Sequence, residues 1–237
     1  MKIIVDLCNQ HFGSLDELKR MILNAYISGA DAVKVQLMDS EKYFNTTSKK
    51  YRDISYLQVR ELSQYCDRVG VEFMASVFDE ERLEWIEDIG VKTHKIASKV
   101  SKNDKKLSQK ILDCDKPTII STGLHEFGDF PYGTDSNIDY LFCVAKYPTF
   151  LYDPDLGKMP HFKKPGYTGY SDHSIGIAAP IRAFMRGAKI LEKHFSNNIF
   201  AQNKFEGGHL GSFDKNSLED CVKLVKQLKI LEENSDW

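Results

Sequence analysis

Eight short segments, seven of which contain Val or Ile, recur along the whole chain, and segments with helical periodicity separate most of them. The predicted strands are 2–7, 31–37, 71–76, 93–98, 117–122, 139–145, 167–171 and 189–195. Strands that alternate with helices pair in parallel, because each crossover helix returns the chain to the same end of the sheet. Eight such units in 237 residues approach the roughly 250 residues of a typical (β/α)8 barrel. We therefore predict one TIM-barrel domain over residues 1–237.

The connections between the predicted strands support this fold. Helices are predicted at 15–28, 56–68, 80–89, 104–112, 175–186 and 216–232. Ser14 and Glu17 have the spacing of a capping box before the first helix. Four glycines follow helices and can end them in the left-handed conformation, namely Gly29, Gly70, Gly90 and Gly187. Segment 123–138 holds too many Gly, Pro, Asp and Asn residues for a full helix, which predicts an irregular or truncated fifth crossover.

A doubly wound open sheet is the alternative architecture. It usually has a Gly-rich phosphate-binding turn directly after its first strand. Here the corresponding turn reads CNQHFGS and contains a single glycine, Gly13. The absence of that fingerprint favours the barrel.

Charge and composition argue against several classes of partner. Acidic and basic residues are interspersed and the net charge is −2, which gives no reason to expect a nucleic acid or a membrane surface. No apolar run approaches the roughly 20 residues that span a bilayer. Asp6 interrupts the apolar N-terminal stretch and no cleavage site follows, so we expect a cytoplasmic protein. The five cysteines form no C-x-x-C pair and are expected to be buried thiols.

Polar side chains concentrate where the predicted strands end, which in a barrel is where active sites lie. They are Asp6, Lys34, Gln36, Ser76, Lys95, Ser98, Ser121, Thr122, Tyr147, Ser171, Asp172, His173, Lys193 and His194. Burying a lysine near the barrel axis is costly unless the ammonium meets an anion. Lys34, Lys95 and Lys193 therefore predict an anionic ligand. The apolar surroundings of Lys34 and Lys95, in AVKVQL and HKIAS, favour an inward direction for these two.

His173 and His194 follow the last two predicted strands. Adjacent strands lie about 4.8 Å apart, so both imidazoles can reach one ion, and imidazole suits zinc, iron or manganese. A lone histidine is more often structural, but a pair on neighbouring strand ends favours a metal site. Three histidines without such a setting are interpreted as structural or exposed, namely His94, His125 and His161. His11 and His209 remain candidates.

Nine segments resemble successive motifs of the sialic acid synthase family. In chain order they are VDLCNQHFGS, GADAVKVQ, EFMASVFDEE, KIAS, ISTG, CVAKYPT, GYSDHSIG, GAKILEKHF and GGHLGSF. Their common order over almost the whole chain is more specific than any single motif. The resemblance implies a TIM-barrel enzyme that condenses phosphoenolpyruvate with an N-acetylated amino sugar, typically N-acetylmannosamine. The products it implies are phosphate and a nine-carbon 2-keto acid.

The resemblance also implies roles for individual residues. The phosphoenolpyruvate-binding set would be Lys34, Ser76, Lys95, Ser98, Ser121 and Ser171. The metal ligands would be His173 and His194, with manganese or magnesium as the usual ion. The positions facing the sugar would be Asp6, Gln36 and Tyr147. We add Lys193 and His209 as substrate-binding candidates from their setting. We interpret Asp6, Lys34, Lys95, His173 and His194 as catalytic, with Asp6 or a water on the ion handling the proton.

The departures from the family pattern lie mainly on the sugar side. Asp6 stands where the family has Glu, and KIASKV places Lys99 and Val100 where it has Gly and Glu. Ala145 replaces a polar residue, and Gly208 replaces an Asp expected to bind the sugar. The identity of the sugar is therefore less constrained than the phosphoenolpyruvate and metal positions.

Family members usually carry a further C-terminal antifreeze-like domain that reaches into the partner subunit's site, whereas this sequence ends at Trp237. We expect a different second substrate, a separate polypeptide that supplies this domain, or a chain that no longer performs the synthesis. A homodimer is expected from the resemblance alone. Two other functions stay open: a metal-dependent lyase or isomerase acting on a phosphorylated sugar, and a non-catalytic barrel subunit.

Overall fold

The computed structural model describes residues 1–198 and 210–234. Its strands form a closed parallel barrel in sequence order. They are β1 Lys2–Asp6, β2 Ala32–Leu37, β3 Glu72–Val77, β4 His94–Ile96, β5 Thr118–Ser121, β6 Ile138–Cys143, β7 Tyr167–Asp172 and β8 Ile190–His194. Strand β8 closes on β1 with His194 opposite Asp6. The predicted TIM barrel is confirmed, and each predicted strand end lies within two residues of the observed one.

Helices connect most of the strands on the outside of the barrel. They are α1 Leu15–Ile27, α2 Ser40–Phe44, a 3₁₀ helix Thr47–Arg52, α3 Tyr56–Val69, α4 Glu80–Asp88, α5 Ser98–Asn103, α6 Lys105–Leu112, α7 Pro154–Gly157, α8 Ala178–Met185 and α9 Lys215–Glu233. The six predicted helices are all present. The four additional ones have only four to six residues, too few to show helical periodicity in a sequence.

The ends of these helices follow local rules, with one exception. The Ser14 side chain caps α1 by accepting from the Glu17 backbone N–H. The Glu17 carboxylate, however, accepts from Arg20 and Asn197, and the Ser14 N–H donates to the carbonyl of His11, so the predicted capping box is half formed. The four predicted helix-ending glycines have φ between 73° and 94°, as expected.

The fifth crossover, between β5 and β6, contains no helix in the described structure, as its composition predicts. An aromatic contact takes the place of helix packing. The Phe130 ring lies 4.9 Å from the Tyr140 ring and 5.1 Å from the Tyr167 ring. The Tyr132 N–H donates to the Tyr140 hydroxyl. These contacts attach the irregular segment to the barrel.

The inner face of the barrel changes character along its axis. Six apolar side chains from the amino-terminal halves of the strands form a floor, namely Ile4, Ala32, Met74, Ile119, Leu141 and Ile190. Side chains alternate across a strand, so the next inward position lies two residues further on. Those positions are Asp6, Lys34, Ser76, Ser121, Cys143 and Glu192. Sequence alternation alone therefore stacks a polar layer directly on an apolar floor.

Strand β7 approaches β8 through Gly169, where an added Cβ would lie 2.3 Å from the carbonyl oxygen of Ile190.

All five cysteines are free; four are buried as predicted, whereas Cys114 is partly exposed. Within residues 1–198 and 210–234, no helix is long and apolar enough to cross a membrane. The extent of the single domain over 1–237 stays a prediction, because 199–209 and 235–237 lie outside the described residues.

Candidate active site

A cavity of about 430 Å³ opens at the carboxyl ends of the strands. Ten of the thirteen predicted site residues line it: Asp6, Lys34, Gln36, Lys95, Ser98, Ser121, Tyr147, Ser171, His173 and His194. Ser76 lies just behind this wall and accepts a hydrogen bond from the Lys34 ammonium at 3.1 Å. His209 lies outside the described residues. Strand-end position thus brings ten of the predicted residues to one cavity, and their roles stay predictions.

Lys34 is held as a charged group below the cavity. Its Nζ donates to Asp6 Oδ2 at 2.6 Å and lies 3.5 Å from Glu192 Oε1. Burial alone would lower the pKa of Lys34, but the attraction of Asp6 and Glu192 outweighs burial and raises it. Lys34 thus remains an ammonium with its charge balanced by the protein.

Lys95 is also buried, but its charge is less completely balanced. Its Nζ donates to Ser121 Oγ at 2.9 Å and to the Ile96 carbonyl at 3.1 Å, and it lies 3.5 Å from Glu192 Oε2. Burial lowers the pKa of Lys95, and Glu192 offsets that effect only in part. An anion placed in the cavity against Lys95 would complete the compensation.

Glu192 connects the two lysines and was not among the predicted site residues. Its Oε2 accepts from Ser171 Oγ at 2.7 Å. Burial raises the pKa of Glu192, but the ammonium groups of Lys95 and Lys34 lower it to about 2. The sequence did contain a signal, because Glu192 lies two residues before His194 and therefore faces the same side of its strand.

The Asp6 carboxylate accepts hydrogen bonds from three donors. Its Oδ2 accepts from Lys34 and from Gln36 Nε2 at 2.9 Å, and its Oδ1 accepts from the Cys8 N–H at 2.8 Å. Burial raises the pKa of Asp6, but the charge and hydrogen bonds of Lys34 outweigh burial and lower it. Asp6 is therefore ionised and a weak base.

The two predicted metal ligands lie next to each other in the cavity wall. The rings of His173 and His194 have centroids 5.5 Å apart, and Tyr147 lies 4.2 Å from His173. His173 Nδ1 lies 2.9 Å from the Val144 carbonyl oxygen, so Nδ1 carries the proton and Nε2 offers a lone pair. A backbone acceptor of this kind commonly orients a metal-binding imidazole. The donor set therefore fits a divalent ion.

A second ligand group includes His194 but not His173. One potential ligand atom from each of Asp6, Cys8 and His194 lies within 4.8 Å of the other two. All three residues are buried. Burial, with a smaller contribution from the Asp6 charge, raises the pKa of the Cys8 thiol to about 12. Without an ion the thiol is therefore protonated.

Close packing orients Ser98 at the cavity wall. Its Oγ accepts from the Gly123 N–H at 3.0 Å. A Cβ at Gly123 would lie 2.7 Å from Cys143 Sγ and 3.1 Å from the Ala145 Cβ. Only glycine lets the loop after β5 approach closely enough for this hydrogen bond.

Lys193 lies on the other face of β8, and this position corrects the prediction that it meets an anionic ligand. Its Nζ lies 2.5 Å from Asp172 Oδ2 and 2.5 Å from the Ser174 carbonyl oxygen. It also lies 5.2 Å from the centroid of the Phe213 ring. Because Glu192 and His194 face inward, the residue between them must face outward.

Within the described residues, the four other histidines lie away from this cavity wall. His11 is buried, and its Nδ1 accepts from the Gly13 N–H at 3.0 Å. Burial and the nearby Arg52 charge lower the pKa of His11 to about 4, so it is neutral. The other three are buried, hydrogen-bonded or exposed as predicted, namely His94, His125 and His161.

Comparison with known proteins identifies the family of this chain. The NeuB family profile matches residues 21–235. This chain belongs to the NeuB family. It is 31% identical over 258 residues to N,N'-diacetyllegionaminic acid synthase of Legionella pneumophila, covering 94% of this chain and 71% of that protein. It is 29% identical over 252 residues to human N-acetylneuraminate-9-phosphate synthase, covering 94% and 69%.

A solved structure of a related protein gives the same result. The N-acetylneuraminic acid synthetase of Leptospira borgpetersenii, in complex with citrate, superimposes with a TM-score of 0.83 at 27% identity. The match covers 99% of this chain and 86% of that one. The fold predicted from strand counting is thus the fold of a NeuB-family relative.

Three basic residues at the cavity mouth were not predicted from the sequence. The Lys49 ammonium lies 4.0 Å, and the Arg52 guanidinium 5.2 Å, from the centroid of the Phe44 ring. Lys99 lines the same mouth. With the two deep lysines, five basic and two acidic residues line the cavity. Lys49 and Arg52 were not predicted, because they belong to the 3₁₀ helix and do not follow the end of a strand.

The residues that depart from the expected NeuB-family pattern occupy different environments. Lys99 is exposed at the mouth, and Ala145 contributes to the wall. Val100 is buried in the outer hydrophobic core, so it cannot take the role of the expected glutamate. Gly208 lies outside the described residues. Among the described departures, Asp6 belongs to the polar layer, whereas Lys99 and Ala145 line the cavity outside that layer.

Proposed function

We propose that this NeuB-family chain condenses phosphoenolpyruvate with an aldose or an N-acetylated amino sugar to give a 2-keto sugar acid and phosphate. The observation that carries this proposal is the excess of five basic over two acidic residues around one cavity. Phosphoenolpyruvate presents a phosphate and a carboxylate, both of which form charge-assisted hydrogen bonds with ammonium and guanidinium groups. The synthases named among the relatives support the same reaction class.

In this proposal the deep layer binds phosphoenolpyruvate. The binding set is Lys34, Ser76, Lys95, Ser98, Ser121 and Ser171. Lys95 is the principal anchor, because its charge is the less completely balanced of the two lysines. Glu192 lies 3.5 Å from both ammonium groups, so it keeps them in position before the ligand enters. Such preorganisation reduces the reorganisation needed during the reaction.

The carbon–carbon bond forms when C3 of phosphoenolpyruvate attacks the aldehyde carbon of the sugar. Positive character then develops at C2, where the Glu192 carboxylate offers electrostatic stabilisation. Water adds to C2, and phosphate leaves by cleavage of its bond to that carbon. The role of Asp6 as proton acceptor stays a prediction; its lowered pKa favours a role in holding Lys34 charged.

The upper layer of the cavity receives the sugar. His173 and His194 would hold a divalent ion, with manganese or magnesium expected from the resemblance. Such an ion acts as a Lewis acid on a carbonyl oxygen. Tyr147, packed against His173, and Gln36, bonded to Asp6, would contact the sugar. The expected cytoplasmic location, homodimer and separate C-terminal-domain partner stay predictions.

The decisive test is release of phosphate by the purified protein with manganese, phosphoenolpyruvate and a panel of aldoses. We expect release that requires both an aldose and phosphoenolpyruvate. Lys95→Met should abolish it, whereas Lys92→Met, an exposed lysine three residues earlier, should retain it. The melting temperature of each protein is also measured with and without phosphoenolpyruvate, since a ligand that binds the native state raises it.

Two outcomes would contradict the proposal. If no aldose supports phosphate release and phosphoenolpyruvate leaves the melting temperature unchanged, the cavity does not bind this substrate. If a phosphorylated sugar is converted without phosphoenolpyruvate, the lyase or isomerase alternative replaces the synthase. Retained biological function after His173→Ala or His194→Ala would favour the non-catalytic alternative.

A further inference from the structure

The thiol of Cys8 lies at the cavity wall, two residues beyond Asp6 at the end of β1. Its Sγ, an Asp6 oxygen and a His194 ring nitrogen lie within 4.8 Å of one another. The same His194 ring has Nδ1 3.6 Å from Asp6 Oδ2. Three different donor types thus converge at one point of the wall.

The backbone fixes the direction of this thiol. Cys8 has φ of 41°, in the left-handed region that non-glycine residues rarely adopt. Its N–H donates to Asp6 Oδ1 at 2.8 Å. Its Sγ lies 2.9 Å from Asn9 Oδ1. These contacts hold the sulfur next to the carboxylate.

The spacing of the three groups suits a metal ion. Zinc binds sulfur at about 2.3 Å and imidazole nitrogen at about 2.0–2.1 Å, so ligand atoms around a tetrahedral ion lie roughly 3.5 Å apart. Groups within 4.8 Å reach that spacing by inward side-chain movements on the order of 1 Å. The Asp6 carboxylate already has three donors, but its two oxygens can accept about four interactions.

We propose that Cys8 is a thiolate ligand of the ion in this site, together with His194 and an Asp6 oxygen. The inference rests on the proposed function, because it adds Cys8 and an Asp6 oxygen to His173 and His194 as ligands of the same metal. A sulfur–metal bond forms, the thiol proton passes to solvent, and no oxidation state changes. Thiolate is a soft ligand that favours zinc, cobalt or ferrous iron over magnesium. The chain should therefore prefer one of these ions to the magnesium expected from the resemblance.

Cys143 provides the matched control. It is the other buried thiol near the histidines, and its Sγ lies 3.8 Å from His173 Nδ1. That nitrogen is hydrogen-bonded to Val144, and Cys143 is not a member of the converging group. Cys143→Ser therefore removes a nearby thiol without removing the proposed ligand.

The test is a titration of the chelator-treated full chain with Co²⁺, followed by ultraviolet–visible absorption. We expect one ion per chain and a sulfur-to-cobalt charge-transfer band in wild type and Cys143→Ser. The band should be absent in Cys8→Ser, and Zn²⁺ affinity should fall by at least about tenfold, the lower range found when even groups outside the ligand shell are removed. If Cys8→Ser does not fold, X-ray absorption of zinc-loaded Cys143→Ser decides by detecting or excluding a zinc–sulfur bond of about 2.3 Å.

Several results would overturn the assignment. Cobalt bound without a charge-transfer band excludes the thiolate while leaving the synthase proposal intact. A band lost in Cys143→Ser but kept in Cys8→Ser transfers the role to the other cysteine. No cobalt binding at all excludes Cys8 as a ligand, and the separate phosphate-release assay then reports whether the proposed synthase activity survives.

Discussion

Two buried lysine–carboxylate systems lie on opposite faces of β8. On the inner face, Glu192 pairs with Lys34 and Lys95 beside the cavity. On the outer face, Lys193 pairs with Asp172 between the barrel wall and Phe213. Both systems are almost completely removed from solvent, yet only the inner one can meet a ligand. Burial and charge therefore do not identify a binding site until the facing side of the strand is known.

The two systems also differ in how completely each ammonium is satisfied. Lys193 has a carboxylate, a backbone carbonyl and an aromatic face around it. Lys95 has a hydroxyl and a carbonyl in contact, with its nearest carboxylate 3.5 Å away. The outer pair is complete within the protein, whereas we propose that an anion from outside completes the inner group. Four predictions test this distinction.

Lys193→Met should have the largest effect on stability and little effect on ligand binding. It leaves Asp172 as a buried charge without its cation, a change that typically costs about 3–5 kcal/mol. Urea unfolding should show this loss, while the rise in melting temperature with phosphoenolpyruvate persists. Adding Asp172→Asn should recover part of the loss. A loss below about 1 kcal/mol, the level of an exposed pair, would contradict the distinction.

Glu192→Gln should make the free energy of unfolding less dependent on pH in the acid range. Its pKa is about 2 in the folded chain against an ordinary value of 4.5, so the unfolded state binds the proton more readily. The stabilisation is present above pH 4.5 and is lost as pH falls toward 2, by on the order of 3 kcal/mol. Urea unfolding between these pH values should therefore be flatter for Glu192→Gln. The exposed Glu84→Gln should keep the wild-type slope; equal slopes for all three proteins would refute the prediction.

Lys95→Met should weaken phosphoenolpyruvate binding and lower stability less than Lys193→Met does. Loss of one charge-assisted hydrogen bond costs about 1.5–3 kcal/mol, or roughly tenfold or more in Kd. The loss of stability should be smaller than for Lys193→Met, because burial of Lys95 is incompletely compensated without ligand and Lys34 remains beside Glu192. Calorimetric titration with phosphoenolpyruvate measures the first effect and urea unfolding the second. Unchanged affinity would show that Lys95 does not anchor the substrate.

Ile4→Val should have the smallest effect. It removes one buried methylene from the apolar floor, which typically costs about 0.5–1.5 kcal/mol. The polar layer lies above this position, so affinity for phosphoenolpyruvate and Co²⁺ should match wild type. A large loss of either affinity would show that floor and polar layer are coupled more tightly than the alternation of side chains implies.

Particular elements show where prediction from sequence succeeded. The strands were found because short apolar segments, seven of the eight containing Val or Ile, alternate with helical segments. The irregular fifth crossover was found because its composition opposes a helix. Strand-end position also brought His173, His194, Lys34 and Lys95 to one cavity, and their functional roles stay predictions. The 3₁₀ helix Thr47–Arg52 was missed because six residues show no periodicity, and its basic side chains were missed with it.

The sequence by itself determined eight strand units, which favour the barrel, and the level at which the polar layer lies, because a shift of one residue would move the polar side chains of a strand to its other face. Only the tertiary structure decided which charges meet. The direction of Lys193, the joining of Lys34 and Lys95 through Glu192, and the convergence of Cys8 with His194 depend on strands distant in sequence. Closing β8 onto β1 brings Asp6 opposite His194, and no local pattern encodes a distance between the first and last strands.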